Sequence, residues 1–171
     1  MHQAMLWEGE RIAGALVSAT ARAIYAGSEN CSEAGQRIGR RVRILVVDDL
    51  QVHRQIISTM LTNNHDYADI VTASGGQEAC DLLADDPGGF DAVLCDWVMP
   101  EVDGLAVLQW MRAHPPSADL PFVMVSGCDD ETEILGILGQ GVQGFLTKPV
   151  NKQVLCRMVM AVLLDRAGEA G

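Results

Sequence analysis

The chain of 171 residues is 49% hydrophobic, 20% charged and only 5% aromatic, a balance that suits an aliphatic core and excludes disordered and collagen-like chains. Its formal charge of −11 is uneven: residues 1–41 hold five Arg against four Glu, the remainder seven basic against nineteen acidic side chains. An acidic body without a basic stripe excludes recognition of nucleic-acid phosphates and resists anionic membrane surfaces, and no apolar run reaches the roughly 18 residues that span a bilayer.

In chain order, residues 1–41 form an N-terminal extension rich in Ala, Gly, Ser and Arg. The spacing of Ile12, Leu16, Ala19, Ala23 and Ile24 predicts one helix over about residues 10–26, on a thin apolar stripe. Glu8 and Glu10 spoil a basic leader, and the apolar stretch after Arg11 is short, so this does not read as a signal peptide. Residues 27–32 read as a turn or linker. A second unit, residues 42–168, alternates strands and helices. Residues 43–47 are a continuous β-branched and aliphatic run, a strand buried on both faces. Residues 50–63 follow as a helix with Val52, Ile56, Met60 and Leu61 on one face, then a strand at 70–73 and a helix at 76–85. A third strand at 92–95 leads to a helix at 105–113, and a fourth at 122–125 to a helix at 131–138. Asp130 is placed to cap that helix, with Glu133 three residues on. A fifth strand at 144–146 and a helix at 152–166, with Val154, Leu155, Met158 and Val162 inward, complete the pattern. Five strands alternating with five helices predict an α/β fold, a doubly wound five-stranded parallel sheet joined by right-handed crossovers.

Ligands of such sheets bind beyond the carboxyl ends of the strands. Asp48 and Asp49 leave the first strand, Asp96 the third and Ser126-Gly127 the fourth, and the fifth leads to Thr147-Lys148-Pro149. Three converging carboxylates repel one another and call for a counter-charge. Mg²⁺ suits them, because it takes few carboxylates, keeps several waters and completes its shell with phosphate oxygen. A carboxylate beside Mg²⁺ and Lys can attack a phosphoryl group to give an acyl phosphate. Blander readings stand beside these. Asp48 and Asp49 suit the start of a helix, Ser126 a turn, and Phe145 partly buried core on an edge strand. Trp97 adjoins Asp96 with no role assigned, and His53 and His114 read as solvated helix residues. Five scattered cysteines (Cys31, Cys80, Cys95, Cys128, Cys156) form no CxxC or Cys/His cluster, which fits small, mostly buried thiols in a reducing compartment.

The segments Leu45-Val46-Val47-Asp48-Asp49, Leu94-Cys95-Asp96-Trp97-Val98-Met99-Pro100, Val102-Asp103-Gly104, Val125-Ser126-Gly127 and Phe145-Leu146-Thr147-Lys148-Pro149 lie in this order, each at a strand end. Together they resemble the receiver domain of two-component response regulators, over about residues 43–166. The resemblance implies a CheY-like, flavodoxin-like (βα)5 fold and a cytoplasmic switch. It casts Asp96 as phosphoacceptor and, with Asp49 and (through water) Asp48, as Mg²⁺ ligand, the Val98 carbonyl completing the protein share. It makes Lys148 the phosphoryl-binding lysine, with Pro149 after it in a cis peptide. Ser126 becomes the switch hydroxyl, Phe145 the aromatic that turns inward, and Gly127 the residue that leaves the phosphoryl group accessible.

The implied partners are a histidine kinase or histidine phosphotransfer protein, and a downstream protein at the face of the fourth helix, fifth strand and fifth helix. Gly136, Gly139 and Gly141 either soften that helix or end it early at Gly139. A stand-alone monomer or homodimer is expected, with no activity beyond its own phosphotransfer and autodephosphorylation. Autodephosphorylation is expected to be slow, because Val98 and Cys128 offer no group to orient water. A scaffold that binds without phosphorylation, or a phosphatase using Asp96 as nucleophile, remain the other readings.

Overall fold

Uninterrupted aliphatic runs, too apolar to face water on either side, become the inner strands of one sheet. In a computed structural model, which describes residues 14–16, 38–62, 68–128 and 130–169, the elements follow in chain order. They are β1 (Gly14–Leu16), β2 (Val42–Val47), α1 (Gln51–Thr62), β3 (Ala68–Ala73), α2 (Gly76–Asp85), β4 (Ala92–Asp96), α3 (Gly104–Ala113), β5 (Phe122–Ser126), α4 (Glu131–Leu138), β6 (Gly144–Thr147) and α5 (Lys152–Glu169). The sheet order is β1-β6-β5-β4-β2-β3, with β2 to β6 parallel, as the alternation of strands and helices predicts.

The strand alternation sorts two cores. Ile44, Val46, Leu94, Val123, Val125 and Leu146 point to one face, where Ile57 and Leu61 of α1 and the apolar side of α5 cover them. Leu45, Val47, Val93, Cys95, Met124 and Phe145 point to the other, against residues of α2, α3 and α4. Residues adjacent in a strand face opposite ways, so both layers come from the same short runs. Asp103 caps α3 by accepting from the Ala106 amide, and Asp130 caps α4 by accepting from the Glu133 amide at 3.0 Å, as its position predicts. Gly104 permits the close approach that opens α3: a side chain there would run into the Asp96 carbonyl oxygen.

Two expectations need correcting. The helix expected over residues 10–26 is contradicted at Gly14–Leu16, which form β1; the rest of that segment lies outside the described residues. β1 pairs antiparallel with β6, Gly14 opposite Leu146, Ala15 opposite Phe145 and Leu16 opposite Gly144. The fifth parallel strand is therefore not an edge: its outer backbone groups pair with the extension, and the sheet's edges are β1 and β3. The inward face of α1 differs in part: Met60 and Leu61 pack on the core as expected, but Val52 and Ile56 do not. Ile57 and Leu61 are buried, while Val52 and Ile56 are 56% and 45% exposed. Both apolar stripes have helical spacing, and packing on β2 and α5 selects the second.

Candidate functional site

At the carboxyl ends of β2, β4 and β6 the chain places acids and a base within reach of each other. Asp48 follows β2, Asp96 is the last residue of β4, and Lys148 follows β6. One oxygen from each of Asp48, Asp49 and Asp96 lies within 4.8 Å of the others, a group able to hold a cation. Asp48 is buried, Asp96 nearly so and Asp49 exposed, so the cluster opens to solvent on the Asp49 side.

The Lys148 ammonium bridges the cluster. Its Nζ donates to Asp48 Oδ2 at 2.8 Å and lies 3.2 Å from Asp96 Oδ2. The Lys148 amide donates to the Ser126 carbonyl at 2.7 Å, which fixes the β6 exit against β5, and the Lys148–Pro149 peptide is cis as implied. Asp48 has a second duty: its Oδ1 accepts from the Leu50 amide at 2.9 Å, a turn contact ahead of α1 rather than a cap on its first amides.

Burial pushes the Asp96 carboxyl above the usual carboxylate range, and the neighbouring Asp48 charge adds to it. The Lys148 charge, its hydrogen bond and the Val98 amide offset this only partly. Three acids against one ammonium leave an excess of negative charge in a partly desolvated place, and a divalent cation with oxygen ligands fits that deficit.

Ser126 is buried at the end of β5, and its Oγ accepts from the Cys128 amide at 3.2 Å. Asp96 pairs in register with Val125, which puts the Ser126 and Asp96 backbones at neighbouring strand ends. Gly127 is exposed and a side chain there would meet nothing, consistent with an open approach. Val98 is 72% exposed, and Trp97, half-buried, donates its amide to the Val125 carbonyl. Phe145 is fully buried in the core layer of Met124, Ile134 and Ile137, which sets aside the alternative reading of it as partly buried edge core and puts it in the inward position that the switch reading requires.

His53 was missed. Far from being a solvated helix residue, it points into the site, with Nδ1 3.0 Å from Lys148 Nζ and 3.1 Å from Asp48 Oδ2. The one signal in the sequence is its place a turn beyond Asp48-Asp49, which does not by itself tell inward from outward. His114 does stay outside, stacked on Trp110.

The family model for the response regulator receiver domain matches residues 44–160. The chain belongs to the response regulator receiver family. It is 36% identical over 129 residues to a chemotaxis protein CheY homolog of Campylobacter jejuni, covering 75% of this chain and 97% of that one. It is 32% identical over 122 residues to chemotaxis protein CheY1 of Helicobacter pylori, covering 71% and 97%. Among solved structures, a response regulator receiver protein from Pseudomonas putida matches with TM-score 0.61 and 32% identity, over 70% of this chain and 95% of that one. The CheX-CheY-BeF3-Mg complex of Borrelia burgdorferi matches with TM-score 0.66 and 25% identity, over 74% and 92%. As a receiver, the chain has a phosphoacceptor role in two-component signalling, which implies contact with histidine kinase or phosphotransfer partners. Among the described residues, no helix is long and apolar enough to cross a membrane.

Proposed function

We propose that Asp96 is the phosphoacceptor of a cytoplasmic receiver unit spanning residues 42–168, to which the extension of residues 1–41 contributes β1. The carrying observation is the Lys148 ammonium between Asp48 and Asp96, brought together from positions 100 and 52 residues apart in the chain. Asp49 and Asp96, with Asp48 through water and the Val98 carbonyl, would hold Mg²⁺, which supplies positive charge to phosphoryl oxygens when bound.

An Asp96 carboxylate oxygen attacks the phosphorus of a phosphohistidine. The new O–P bond forms as the N–P bond breaks, and the donor nitrogen keeps the electron pair and takes up a proton from water. Lys148 offsets the charge on the transferring oxygens, and the Ser126 hydroxyl exchanges its loop contact for a bond donated to them. Val98, two residues after Asp96, carries no acid or amide to orient water, which favours a lasting acyl phosphate over turnover as a phosphatase.

Leu50, Val52 and Ile56, on and just before α1, and Val98, two residues after Asp96, are exposed apolar side chains that suit docking of the phosphodonor. Output belongs to the α4–β6–α5 face. There the charge added at Asp96 reaches β6 through Lys148 and Ser126, and Phe145, already inside, is held in place by the state of that strand. The deciding experiment is incubation with acetyl phosphate or beryllofluoride plus Mg²⁺. Wild type is expected to take one phosphoryl group from acetyl phosphate, or to bind one beryllofluoride, where Asp96→Asn does neither; equal labelling or binding by both overturns the assignment.

A further inference from the structure

The Lys148 ammonium has three N–H bonds and three close neighbours: it donates to Asp48 Oδ2 at 2.8 Å, lies 3.0 Å from His53 Nδ1 and forms an ion pair with Asp96 Oδ2 at 3.2 Å. His53 Nδ1 also lies 3.1 Å from Asp48 Oδ2. If Nδ1 carried a proton it would donate to Asp48 but face an ammonium N–H at 3.0 Å, setting two donors against each other. With the proton on Nε2, the Nδ1 lone pair accepts from Lys148, and the ammonium charge shared by both offsets the approach of that lone pair to Asp48 Oδ2. The ammonium then sits on a tripod of two carboxylates and one neutral nitrogen.

The imidazole is not free to drift. It stands in the first turn of α1, where the His53 and Arg54 amides donate to the Leu50 carbonyl, and the Arg54 guanidinium donates to the Asp48 carbonyl at 2.7 Å. The same turn thus holds both Asp48 and His53.

We propose that His53 is a positioning residue for phosphoryl transfer: its Nδ1, together with Asp48 Oδ2, holds two of the three Lys148 N–H bonds and aims the third at Asp96. When Asp96 becomes an acyl phosphate, its ester oxygen loses most of its charge and the phosphoryl oxygens become the better acceptors. The third N–H moves to them by a short step while the other two legs of the tripod stay in place. Without His53, one leg is a lone carboxylate that a divalent cation also attracts, and the ammonium loses its aim. This inference rests on the phosphoacceptor reading of Asp96, and the test separates the two.

The experiment is a double-mutant cycle with His53→Leu, Lys148→Ala and the pair, plus His53→Asn, whose amide oxygen falls where Nδ1 lies. Beryllofluoride affinity in Mg²⁺ is read by tryptophan fluorescence. His53→Leu is expected to weaken binding about tenfold, the scale of one charge-assisted hydrogen bond, with His53→Asn near wild type. In the Lys148→Ala background, His53→Leu should change affinity by less than about twofold. A second readout needs no metal: the Lys148 ¹⁵N ammonium signal should be observable in wild type and His53→Asn and lost in His53→Leu. Should His53→Leu fold poorly, His53→Ala completes the cycle. Additive losses in the cycle, or an ammonium signal indifferent to His53, overturn the proposal. A wild type that binds no beryllofluoride while its ammonium signal still depends on His53 overturns the phosphoacceptor reading instead.

Discussion

Two aspartates flank β4 and meet opposite fates. Asp91 precedes the strand and Asp96 ends it; their side chains are 14% and 10% exposed, and for both burial is the largest influence on the carboxyl. Yet Asp91 is held below the ordinary carboxylate range and Asp96 is raised above it. The difference lies in the company. Asp91 has the Arg40 guanidinium on both oxygens at 2.5 and 3.0 Å, the Arg43 amide at 2.8 Å and the charge of Arg166, whose Nη1 donates to its carbonyl. Asp96 shares one ammonium with Asp48 and His53 and has a second acid against it. The amino end of the sheet is a finished structural clamp. The carboxyl end is left short of positive charge, which is what a site that recruits a cation and a phosphoryl group requires.

Backbone conformation follows the same division. The positive-φ positions in loops leading into strands are glycines, Gly39, Gly88 and Gly141, where the conformation carries no side-chain penalty. At the carboxyl end Glu101, with φ of 65°, takes a left-handed conformation with a side chain, in the loop that follows Asp96.

The largest expected effect comes from Asp96→Asn. Phosphoryl incorporation from acetyl phosphate should fall to background, while the metal-free protein should melt at a higher temperature because a desolvated charge beside Asp48 is gone. A lower melting temperature would mean that the carboxylate is as well satisfied as Asp91, and the comparison would fail. Next comes the cation: at Mg²⁺ about ten times its dissociation constant, linkage gives about 1.4 kcal/mol, or about 4 °C in Tm for a domain of this size. Calorimetry should show that gain in wild type and lose it in Asp49→Asn.

Third, Asp91→Asn should cost about 1 kcal/mol, since Arg40 is largely exposed and its pairing is screened, with phosphorylation unchanged. The signs with pH are opposite for the two aspartates. Asp91's lowered pKa contributes stability that is present above the ordinary aspartate range and lost as pH falls through its folded value. Asp96's raised pKa favours folding at low pH and turns against it as pH rises through its folded value. Acid melts of Asp91→Asn should therefore be flatter than wild type below about pH 4, whereas Asp96→Asn should lose the mild gain on first acidification. The smallest effect is Glu101→Gly, expected to stabilise by up to roughly 1 kcal/mol by removing the left-handed penalty. Denaturant unfolding that shows no gain would place the strain elsewhere.

Much of this was legible in the residues. Runs such as Leu45-Val46-Val47 and Val123-Met124-Val125 are apolar enough to demand burial on both faces, and the alternation with helices then imposes parallel crossovers and one common rim. Asp48, Asp49, Asp96, Ser126 and Lys148 are read from that rim because a strand's last residue has few places to go. The α1 stripe was misread only at Val52 and Ile56, because they and Ile57 are equally periodic with Met60 and Leu61, and only the packing partner distinguishes them. His53 was missed for a related reason: a rotation of α1 by one residue decides whether it meets solvent or Lys148.

Within residues 42–168 the sequence by itself determined which segments are strands and helices, their order, and that Asp48, Asp49, Asp96, Ser126 and Lys148 gather at the carboxyl rim, because these depend on local periodicity and on the handedness of the connections. Only the tertiary structure decided that Gly14–Leu16 join the sheet beside β6, that Arg40 clamps Asp91, and that Lys148 rests on His53 as well as on Asp48 and Asp96. Those are contacts between residues distant in the chain. Their choice rests on differences in packing and charge that no local pattern encodes.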